Sequence, residues 1–240
     1  MKKILAVIVN YNQEKEIERF LIHLKKYWPV QDAIVVDDGS KDHSVAIADR
    51  VGFKVLLSAF NQNQGVGAAI RRGVQYANQN GYEAVLILSS NGKMMPEEIE
   101  RVVHPIRQSQ ADYVTGSRFL DGGSSPGLSL FRRISIPVFS WISRFCYGQA
   151  FSDITCGFRC YRIDFLFRSD LNINQEWLNR YEMEYYIHFY ACKFGFKIQE
   201  VPVTIKYDHL DAKRKSKIRP IIDWWSMIRP MIYLKLRIRS

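Results

Sequence analysis

Residues 4–12 read Ile-Leu-Ala-Val-Ile-Val-Asn-Tyr-Asn, an unbroken apolar run that opens into polar residues. A run of this kind is typical of a strand that is buried on both faces of a parallel sheet. Helical periodicity follows, with apolar residues at Ile17, Phe20, Leu21 and Leu24. A buried strand followed by an amphipathic helix is the unit from which α/β sheets are built.

The alternation of strands and helices continues through the first half of the chain. The patterns predict strands at Ile4–Val9, Ala33–Val36, Lys54–Leu57, Ala84–Leu88 and Tyr113–Thr115, and helices at Glu14–Tyr27, Asp42–Arg50, Gly65–Asn80 and Pro96–Gln108. Beyond residue 120 they predict helices at Phe131–Tyr147, Arg180–Phe194 and Pro220–Arg239, and a strand at Lys197–Tyr207. This rhythm predicts an α/β fold with a mostly parallel sheet and helices on both faces. We expect one domain over residues 1–210 and a basic tail over 211–240.

Charge and cysteine usage limit the classes of partner and compartment. Lysine and arginine outnumber aspartate and glutamate by 34 to 24, which gives a net charge of +10. Such a surplus suggests a polyanionic partner: a nucleotide diphosphate, a phospholipid surface or nucleic acid. Four cysteines do not make a disulfide framework in a chain of 240 residues, and the N-terminal apolar run is too short for a signal peptide. We therefore expect a cytoplasmic location.

Polar residues follow the second predicted strand as Asp37-Asp38-Gly39-Ser40. Ligands of α/β sheets bind at the carboxyl ends of strands, where the carboxylates of Asp37 and Asp38 can accept hydrogen bonds from a nucleobase N–H or from ribose hydroxyls. A plain turn, in which Asp and Ser cap the next helix, accounts for the same residues. Both interpretations remain open from the residues alone.

Glycines open the third predicted helix in Asn63-Gln-Gly65-Val-Gly67-Ala-Ala69. The spacing is similar to the dinucleotide glycine fingerprint, but it follows the third strand and has no acidic residue at the expected distance. Direct phosphate contact at Gly65 explains the glycines, and so does close packing of the helix against a nucleotide or the sheet.

Three arginines mark a candidate anion site. Arg118 follows the fifth predicted strand, and its guanidinium fork suits phosphate because it donates two hydrogen bonds at once. Arg132, Arg133 and Ser135 follow a glycine-rich loop and can complete that site. A solvated basic helix face explains the two adjacent arginines as well.

A second polar cluster reads Asp153-Ile-Thr155-Cys-Gly157-Phe-Arg159. Asp153 and Thr155 can bind an acceptor, or they can stabilise the turn through local hydrogen bonds. A hydroxyl acceptor needs a carboxylate base, and Asp153 is then the first choice. Glu184 lies near the start of a predicted helix, where a carboxylate also favours the helix dipole.

Taken in order, these elements resemble the inverting family 2 glycosyltransferases of GT-A fold, a Rossmann-like nucleotide-diphospho-sugar transferase fold. Within that family they are similar to the dolichyl- and polyprenyl-phosphate sugar synthases. The matching segments are Val7–Asn12, Ile34–Ser40, Asn63–Ala69, Gly116–Phe119, Asp153–Arg159 and Gln199–Val203. The resemblance implies that Asn10, Tyr11, Asn12 and Asp37 or Asp38 contact the nucleotide.

The resemblance also assigns roles to the site residues in the second half of the chain. It implies that Arg118 and the Arg132–Ser135 segment bind an acceptor phosphate or the donor diphosphate. It places Asp153 or Glu184 toward the acceptor side. The segment's Arg-to-Ser spacing is shifted by about one residue from the family's, so it does not say which arginine, Arg132 or Arg133, matters.

The loop after the fourth strand, Ser89-Ser-Asn91-Gly-Lys93, departs from the family pattern. The family carries Asp-Ala-Asp-Gly there, and its Asp-x-Asp holds a divalent cation against the diphosphate. Ser89, Ser90 and Asn91 lie where the nucleotide is expected, but they offer no charged oxygen to Mg²⁺ or Mn²⁺. Lys93 can supply fixed positive charge that stabilises the leaving diphosphate. We therefore expect no metal ligands. Transfer is then metal-independent, or the protein binds Mg or Mn too weakly to matter.

The predicted tail, residues 211–240, combines cations with a helix of mixed character. Ala212–Arg219 is basic, and Pro220–Arg239 carries two tryptophans, a tyrosine and many aliphatic residues. These features suit a helix that lies in an anionic membrane interface, with a kink or break at Pro230. A helix packed on a partner subunit is the alternative, and we expect no nucleic-acid partner.

The expected function is transfer of a hexose-type sugar from a UDP, GDP or dTDP donor to a polyprenyl phosphate. The protein is then cytoplasmic and peripheral at the inner face of the membrane. One rival is a transferase that acts on a hydroxyl of a surface polysaccharide. Another is a catalytically silent scaffold that binds a nucleotide sugar and uses the tail to recruit a membrane protein or a second copy.

Overall fold

The computed structural model describes residues 2–58, 62–207 and 222–238. The strands are β1 (Ile4–Asn10), β2 (Ala33–Asp37), β3 (Lys54–Leu57), β4 (Ala84–Ser89), β5 (Tyr113–Ser117), β6 (Arg159–Arg162) and β7 (Ile198–Pro202). The α-helices are α1 (Ile17–Leu24), α2 (Ser44–Arg50), α3 (Val66–Gln79), α4 (Ile99–Arg107), α5 (Leu130–Tyr147), α6 (Glu182–Lys193) and α7 (Ile222–Lys235). The basic stretch Ala212–Arg219, on which the predicted tail depends, lies outside the described residues.

The strands form one seven-stranded sheet in the order β3-β2-β1-β4-β6-β5-β7. Neighbouring pairs are parallel except at β6, which is antiparallel to both β4 and β5. The predicted α/β class with a mostly parallel sheet is therefore confirmed. The pattern analysis missed β6, because a four-residue strand of sequence Arg-Cys-Tyr-Arg shows no apolar run.

The predicted burial of both faces of β1 is confirmed. Ala6 and Ile8 join the core that packs on α1 and α4, whereas Leu5 and Val7 join the core on the opposite face with α3 and α6. Helix α3 lies so near the sheet that a Cβ on Gly73 would come within 2.3 Å of a Val7 methyl. The two apolar layers fix the strands, and with them the loops at their ends.

The last predicted strand is shorter than expected. β7 ends at Pro202, and residues 203–207 leave the sheet as a single extended segment, which we name the strap. The strap makes isolated bridges from Ile205 to Met94 and from Thr204 to Ser124. It therefore lies between the loop after β4 and the glycine-rich loop before α5.

Helix α7 continues through Pro230 to Lys235, so the helix does not break there. Its Met231 is buried with Tyr147, Ile154 and Tyr185, which joins α7 to α5 and α6. In the described part of the chain, none of the helices combines the length and apolar character needed to cross a membrane.

Candidate functional site

The candidate site lies at the edge of the sheet where β1, β2, β4, β5 and β7 have their carboxyl ends. β1, β2 and β4 share one direction, and β5 runs with them because β6 is antiparallel to both β4 and β5. β6 consequently begins at this edge. The segments 10–12, 37–40, 89–93, 118 and 153–155, all chosen from the sequence, are brought to this one edge.

Asn10 joins three strand ends in the half of the site assigned to the nucleotide. Its amide nitrogen donates to Asp37 Oδ1 at 2.7 Å and to Ser44 Oγ at 3.0 Å. Its amide oxygen accepts a hydrogen bond from Ser90 Oγ at 2.7 Å. Asn10 is fully buried and Asp37 nearly so. These contacts position the neighbouring loops, and direct nucleotide contact by Asn10 or Asp37 stays a prediction.

The turn after β1 presents the other two residues assigned to the nucleotide. Tyr11 and Asn12 are half-buried, and Asn12 has a φ of 50°, a left-handed conformation that asparagine tolerates. The Asn12 N–H donates to Ser40 Oγ at 2.9 Å, and its side-chain oxygen accepts from the Lys41 N–H at 2.7 Å. The turns after β1 and β2 are thereby joined into one wall of the site.

Asp38 caps the backbone that leads into α3. Its carboxylate accepts hydrogen bonds from the N–H groups of Gln64 and Gly65 and from Asn63 Nδ2, each at 2.8 Å. Burial raises the pKa of Asp38, and the two backbone hydrogen bonds oppose that rise. These partners lie before α3 and not at α2, the next helix along the chain, so Asp38 does not make the expected cap. Recognition of the nucleotide by Asp38 stays a prediction.

Close packing accounts for the two glycines at the start of α3. A Cβ on Gly65, whose φ is +113°, would lie 2.5 Å from the Asn179 carbonyl oxygen. A Cβ on Gly67 would lie 2.1 Å from the Leu178 carbonyl oxygen. The chain before α6 thus passes directly over the helix terminus, and phosphate contact at Gly65 remains a prediction.

The loop after β4 begins beside residues assigned to the nucleotide and ends beside the strap. Ser90 is buried against Asn10, whereas Ser89 and Asn91 are half-buried. Asn91 Oδ1 accepts a hydrogen bond from the Lys93 N–H at 3.1 Å. The Lys93 ammonium lies 4.8 Å from the ring centroid of Tyr207, a cation–π distance. Lys93 is therefore directed toward the strap.

Arg118 and Asp153 form a buried bidentate ion pair. Arg118 Nε and Nη2 donate to the two Asp153 oxygens at 2.6 and 2.7 Å, and Nη2 also donates to Thr155 Oγ1 at 2.6 Å. Burial disfavours the guanidinium charge, but the Asp153 carboxylate outweighs it and raises the pKa of Arg118 above its usual value. The geometry fits the interpretation in which this cluster stabilises the fold.

The turn that carries Asp153 is itself fixed from β7. Glu200 accepts hydrogen bonds from the N–H groups of Ser152 and Asp153, at 2.9 and 3.1 Å, and from Ser152 Oγ at 2.9 Å. Asp153 is fully buried. Its assignment as general base stays a prediction, and in this arrangement both of its oxygens already accept hydrogen bonds.

Tyr207 is a site residue that the sequence analysis did not identify. Its hydroxyl accepts a hydrogen bond from Arg118 Nη1 at 2.7 Å, and Lys93 lies over its ring. Burial raises the pKa of Tyr207, and the nearby charges of Arg118 and Arg132 oppose that rise. Tyr207 therefore connects two cations, Lys93 and Arg118, that are distant in the sequence. Its only sequence signal was its place at the end of the last predicted strand.

The strap holds Tyr207 between two loops of the site. The Lys206 N–H donates to the Lys93 carbonyl at 2.9 Å, and the Tyr207 N–H donates to the Pro126 carbonyl at 2.8 Å. Glu98, in the turn before α4, accepts hydrogen bonds from the backbone and side chain of Thr204 at 2.7 and 3.0 Å. The loop with Lys93 and the glycine-rich loop are thus linked by one extended segment.

The structure separates the two adjacent arginines of α5. Arg132 is half-buried, and its charge opposes the rise in the pKa of Tyr207. Arg133 is exposed and Ser135 is half-buried. Anion binding by Arg132, Arg133 or Ser135 stays a prediction.

Glu184 lies on α6, next to the residues that begin β6 and precede it. Its carboxylate is 4.0 Å from Arg159 Nε, and a Cβ on Gly157 would meet that carboxylate at 3.5 Å and Met94 at 3.6 Å. Burial raises the pKa of Glu184, and Arg159 opposes the rise. Glu184 thus lies next to Arg159 and Gly157, and its assignment to the acceptor side remains a prediction.

The oxygen donors of the loop after β4 do not fit a divalent cation. Mg²⁺ and Mn²⁺ sites are built from charged oxygens, whereas Ser89 and Asn91 offer neutral ones and Asn91 Oδ1 already accepts a hydrogen bond. The next side chain that reaches the site from this loop is the cation Lys93. Within residues 2–58, 62–207 and 222–238, no group of three or more His, Cys, Asp or Glu side chains could hold a metal ion.

Two curated relatives align with most of the chain. A polyprenol monophosphomannose synthase of Mycolicibacterium smegmatis is 27% identical over 90% of this chain and 82% of the relative. A UDP-N-acetylglucosamine–dolichyl-phosphate N-acetylglucosaminyltransferase of Methanococcus voltae is 26% identical over 90% of this chain and 91% of the relative. Both names describe transfer of a sugar to a polyprenyl-type phosphate.

Solved structures share the fold. Glucosyl-3-phosphoglycerate synthase from Mycobacterium tuberculosis, crystallised with Mg²⁺ and UDP, aligns with a TM-score of 0.66 over 98% of this chain and 79% of that chain, at 17% identity. This likeness supports the GT-A architecture that the sequence resemblance implied. The model of "Glycosyl transferase family 2" matches residues 5–172, more than half of the chain. The chain therefore belongs to glycosyl transferase family 2 and has the GT-A fold.

Proposed function

We propose that this protein transfers a sugar from a nucleoside-diphosphate donor to a polyprenyl phosphate, with inversion at the anomeric carbon. The observation that carries the proposal is the convergence of Lys93 and Arg118 on Tyr207. This cluster adjoins the strand ends assigned to the nucleotide. Family membership and the two polyprenyl-phosphate relatives support the same reaction.

The acceptor in this reaction supplies its own nucleophile. An oxygen of the polyprenyl phosphate is an anion at neutral pH, so it attacks the anomeric carbon without a general base. The bond to the donor diphosphate breaks, and the nucleoside diphosphate leaves with the electron pair. The site needs only to align the two substrates and to stabilise the negative charge of the leaving group.

Lys93 supplies that stabilising charge in the proposed mechanism. Lys93 comes two residues after Asn91, where the resemblance puts the second aspartate of the family's metal-binding loop, and its ammonium lies over the Tyr207 ring. Arg132 adds a second cation, whereas four of the five N–H donors of Arg118 have partners within the protein. We infer that transfer does not depend on Mg²⁺ or Mn²⁺. Arg118 then acts by holding Tyr207 and Asp153 in place.

A hydroxyl acceptor is less well supported by the same geometry. It requires a carboxylate that can take a proton, and Asp153 has both oxygens bonded to Arg118 while its side chain is fully buried. A phosphate acceptor makes no such demand. The pairing of Asp153 therefore favours the polyprenyl phosphate over a polysaccharide hydroxyl.

We also propose that the protein is peripheral at the inner face of the membrane. The net charge of +10 and the basic residues 212–219 support attraction to an anionic leaflet. Residues 1–210 then form the transferase domain and residues 211–240 a tail that contacts lipid or a membrane protein.

A donor panel tests the proposed function directly. The purified chain is incubated with UDP-, GDP- and dTDP-linked sugars and a short-chain, water-soluble polyprenyl phosphate. The glycolipid product is then separated and identified by its mass in mass spectrometry. We expect one donor class to yield a sugar-phosphate-polyprenol and a free nucleoside diphosphate. Binding of a donor without product on this acceptor would contradict the proposal and favour the silent scaffold.

A further inference from the structure

Helix α5 carries a stripe of large apolar residues that faces outward. It buries Ile136, Ser140, Ser143 and Tyr147, and Ser140 Oγ accepts a hydrogen bond from the Ile154 N–H at 3.1 Å. Seven other large apolar residues of the helix are 49–72% exposed: Leu130, Phe131, Ile134, Val138, Trp141, Ile142 and Phe145. A surface helix normally buries such a stripe. The exposed stripe therefore needs an apolar partner.

Helix α7 extends this apolar surface. Trp225, Ile228 and Ile232 of α7 are 38–49% exposed, and Leu236 and Ile238 follow directly after it. α7 packs against α5 and α6, and Arg229 of α7 forms an ion pair with the buried Glu182 at 2.5 Å. Twelve of the sixteen large apolar side chains exposed in the described chain lie on α5, on α7 or just after it. We name this surface the α5–α7 face.

The charges on α5 are all positive. Helix α5 contains Arg132, Arg133 and Arg144 and no acidic residue. Arg144 stacks on the rings of Trp141 and Phe145, at 4.5 and 4.8 Å from their centroids. Aromatic rings beside arginines, on a helix with an apolar face, are the features of an interfacial membrane helix.

A second copy of the chain fits this face less well. An isologous dimer through α5 would bring the same arginines of two subunits together without an acidic partner from that helix. An anionic bilayer instead offers hydrocarbon to the apolar stripe and phosphate to its arginines. Charge complementarity therefore selects lipid as the occupant.

We propose that the α5–α7 face lies in the interface of an anionic bilayer, with α5 as its principal membrane contact. Arg132 lies in the first turn of α5 and acts on Tyr207. The cation cluster would then open at the edge of the bilayer, level with lipid phosphates. This inference extends the proposed function by bringing its lipid acceptor to the site, but the observations that carry it are the exposure and charge of α5.

Vesicles without any polyprenyl phosphate test the membrane contact separately from catalysis. The full chain is sedimented with vesicles of phosphatidylcholine alone or with 30 mole per cent phosphatidylglycerol added. The variant Trp141→Gln/Phe145→Gln removes two apolar contacts from α5. We expect its affinity for the anionic vesicles to fall at least about tenfold, since burying large side chains in lipid contributes more than 1.4 kcal/mol.

Two matched variants separate this effect from a general loss of surface hydrophobicity. Ile22→Gln/Tyr27→Gln removes side chains of similar exposure on and beside α1, and we expect its binding to match the wild type. Ile134→Gln/Val138→Gln repeats the test on α5 without changing an aromatic residue, and we expect weaker binding again. Circular dichroism and the melting temperature confirm that each variant is folded.

Three results would overturn the proposal. They are unchanged binding of both α5 variants, equal wild-type binding to neutral and anionic vesicles, and a wild-type dimer in ultracentrifugation that the α5 variants make monomeric. Catalysis gives a separate readout, because transfer to the short water-soluble acceptor does not require a bilayer. If vesicles bind but no donor is turned over, the proposed function fails while the membrane contact stands.

Discussion

The guanidinium of Arg118 illustrates how a single residue organises the acceptor side. It donates to Asp153, Thr155 and Tyr207 from within the protein, where an unpaired charge is costly. The sequence resemblance assigns Arg118 to a phosphate of the acceptor or the donor, and Asp153 to the acceptor side. The structure pairs the two side chains with each other, and this pairing fixes the geometry around them.

Substitution of Asp153 distinguishes a positioning role from a general base. In Asp153→Asn the buried Arg118 loses its counter-charge, and we expect the free energy of unfolding to fall by about 3–5 kcal/mol. Chemical denaturation of the variant and the wild type measures this difference. A variant that unfolds like the wild type but has lost turnover would instead identify Asp153 as the base.

Tyr207 offers a more conservative test of the cation cluster. Tyr207→Phe keeps the ring beneath Lys93 and removes only the hydroxyl that accepts from Arg118, a hydrogen bond to a charged group worth about 1.5–3 kcal/mol. We expect KM for the acceptor to rise more than kcat falls, because the bond positions the site. Steady-state kinetics give both values. A loss in kcat alone would argue that the hydroxyl takes part in the chemistry.

Part of this site could be predicted from the sequence because its residues follow strand ends. Asp37, the Ser89–Lys93 loop and Arg118 each follow an apolar run, and parallel strands bring their carboxyl ends to one edge. Tyr207 could not be found in this way. Its position depends on the strap leaving the sheet after Pro202, which no local pattern marks.

At the scale of elements, the start of α3 is fixed by the chain that crosses it. The carbonyls of Leu178 and Asn179 lie against Gly67 and Gly65, and the Ala68 N–H donates to the Asn179 carbonyl at 3.0 Å. This crossing joins α3 to the segment before α6. The crossing explains the two glycines by close packing, which is one of the two explanations that the sequence alone leaves open.

Adding a methyl group at Gly67 tests whether the chain before α6 passes this close to α3. Gly67→Ala would place a Cβ 2.1 Å from the Leu178 carbonyl oxygen, so backbone must shift, and we expect a loss of about 1–3 kcal/mol in stability. Gly157→Ala is the matched control, because its Cβ would meet only ordinary contacts at 3.5 and 3.6 Å. Thermal denaturation compares the two. If both melt like the wild type, the close approach at Gly67 is wrong.

Elements that a local pattern defines were predicted closely in both halves of the chain, except that α1 is shorter than predicted at both ends and β7 at its C-terminal end. β1, β3 and α2 follow a run or stripe that local periodicity defines, and their boundaries agree within a residue or two. β6 depends instead on pairing with two distant strands, since Arg159 faces Ile87 and Thr115 in register. Such pairing is tertiary, so a four-residue sequence does not reveal it.

At the scale of the whole molecule, three buried carboxyl groups link stability to pH. Burial raises the pKa of Asp38, Glu182 and Glu184, with hydrogen bonds or arginines opposing the rise. A group whose pKa is raised on folding contributes stability that is fully present below its unfolded pKa, about 4. That contribution is lost as the pH rises through the folded value.

Glu184→Gln tests this linkage, because the amide keeps the shape of the protonated acid and cannot ionise. Between pH 4 and pH 7 we expect the free energy of unfolding of Glu184→Gln, relative to the wild type, to increase. Denaturation at several pH values gives this difference. Glu176→Gln, at an exposed position, serves as the control that should follow the wild type. A difference that does not vary with pH would show that Glu184 titrates alike in both states.

The charge at the carboxyl edge of the sheet decides how the leaving diphosphate is stabilised. Where the resemblance puts the family's metal ligands, Ser89 and Asn91 offer neutral oxygens, and the nearby Lys93 lies over Tyr207. If fixed cations replace the metal, the transferase needs no divalent ion, and the loss of Lys93 should reduce turnover by about 10²–10³. Lys93→Met removes the charge and keeps much of the side-chain volume.

The most direct measurement is the rate of sugar transfer to the short polyprenyl phosphate in excess EDTA and in Mn²⁺. It is made for the wild type, for Lys93→Met and for the charge-retaining Lys93→Arg. We predict wild-type rates within about twofold of each other in EDTA and Mn²⁺, a strong loss in Lys93→Met and a smaller loss in Lys93→Arg. A wild-type rate that falls to background in EDTA and returns with Mn²⁺ would contradict the account.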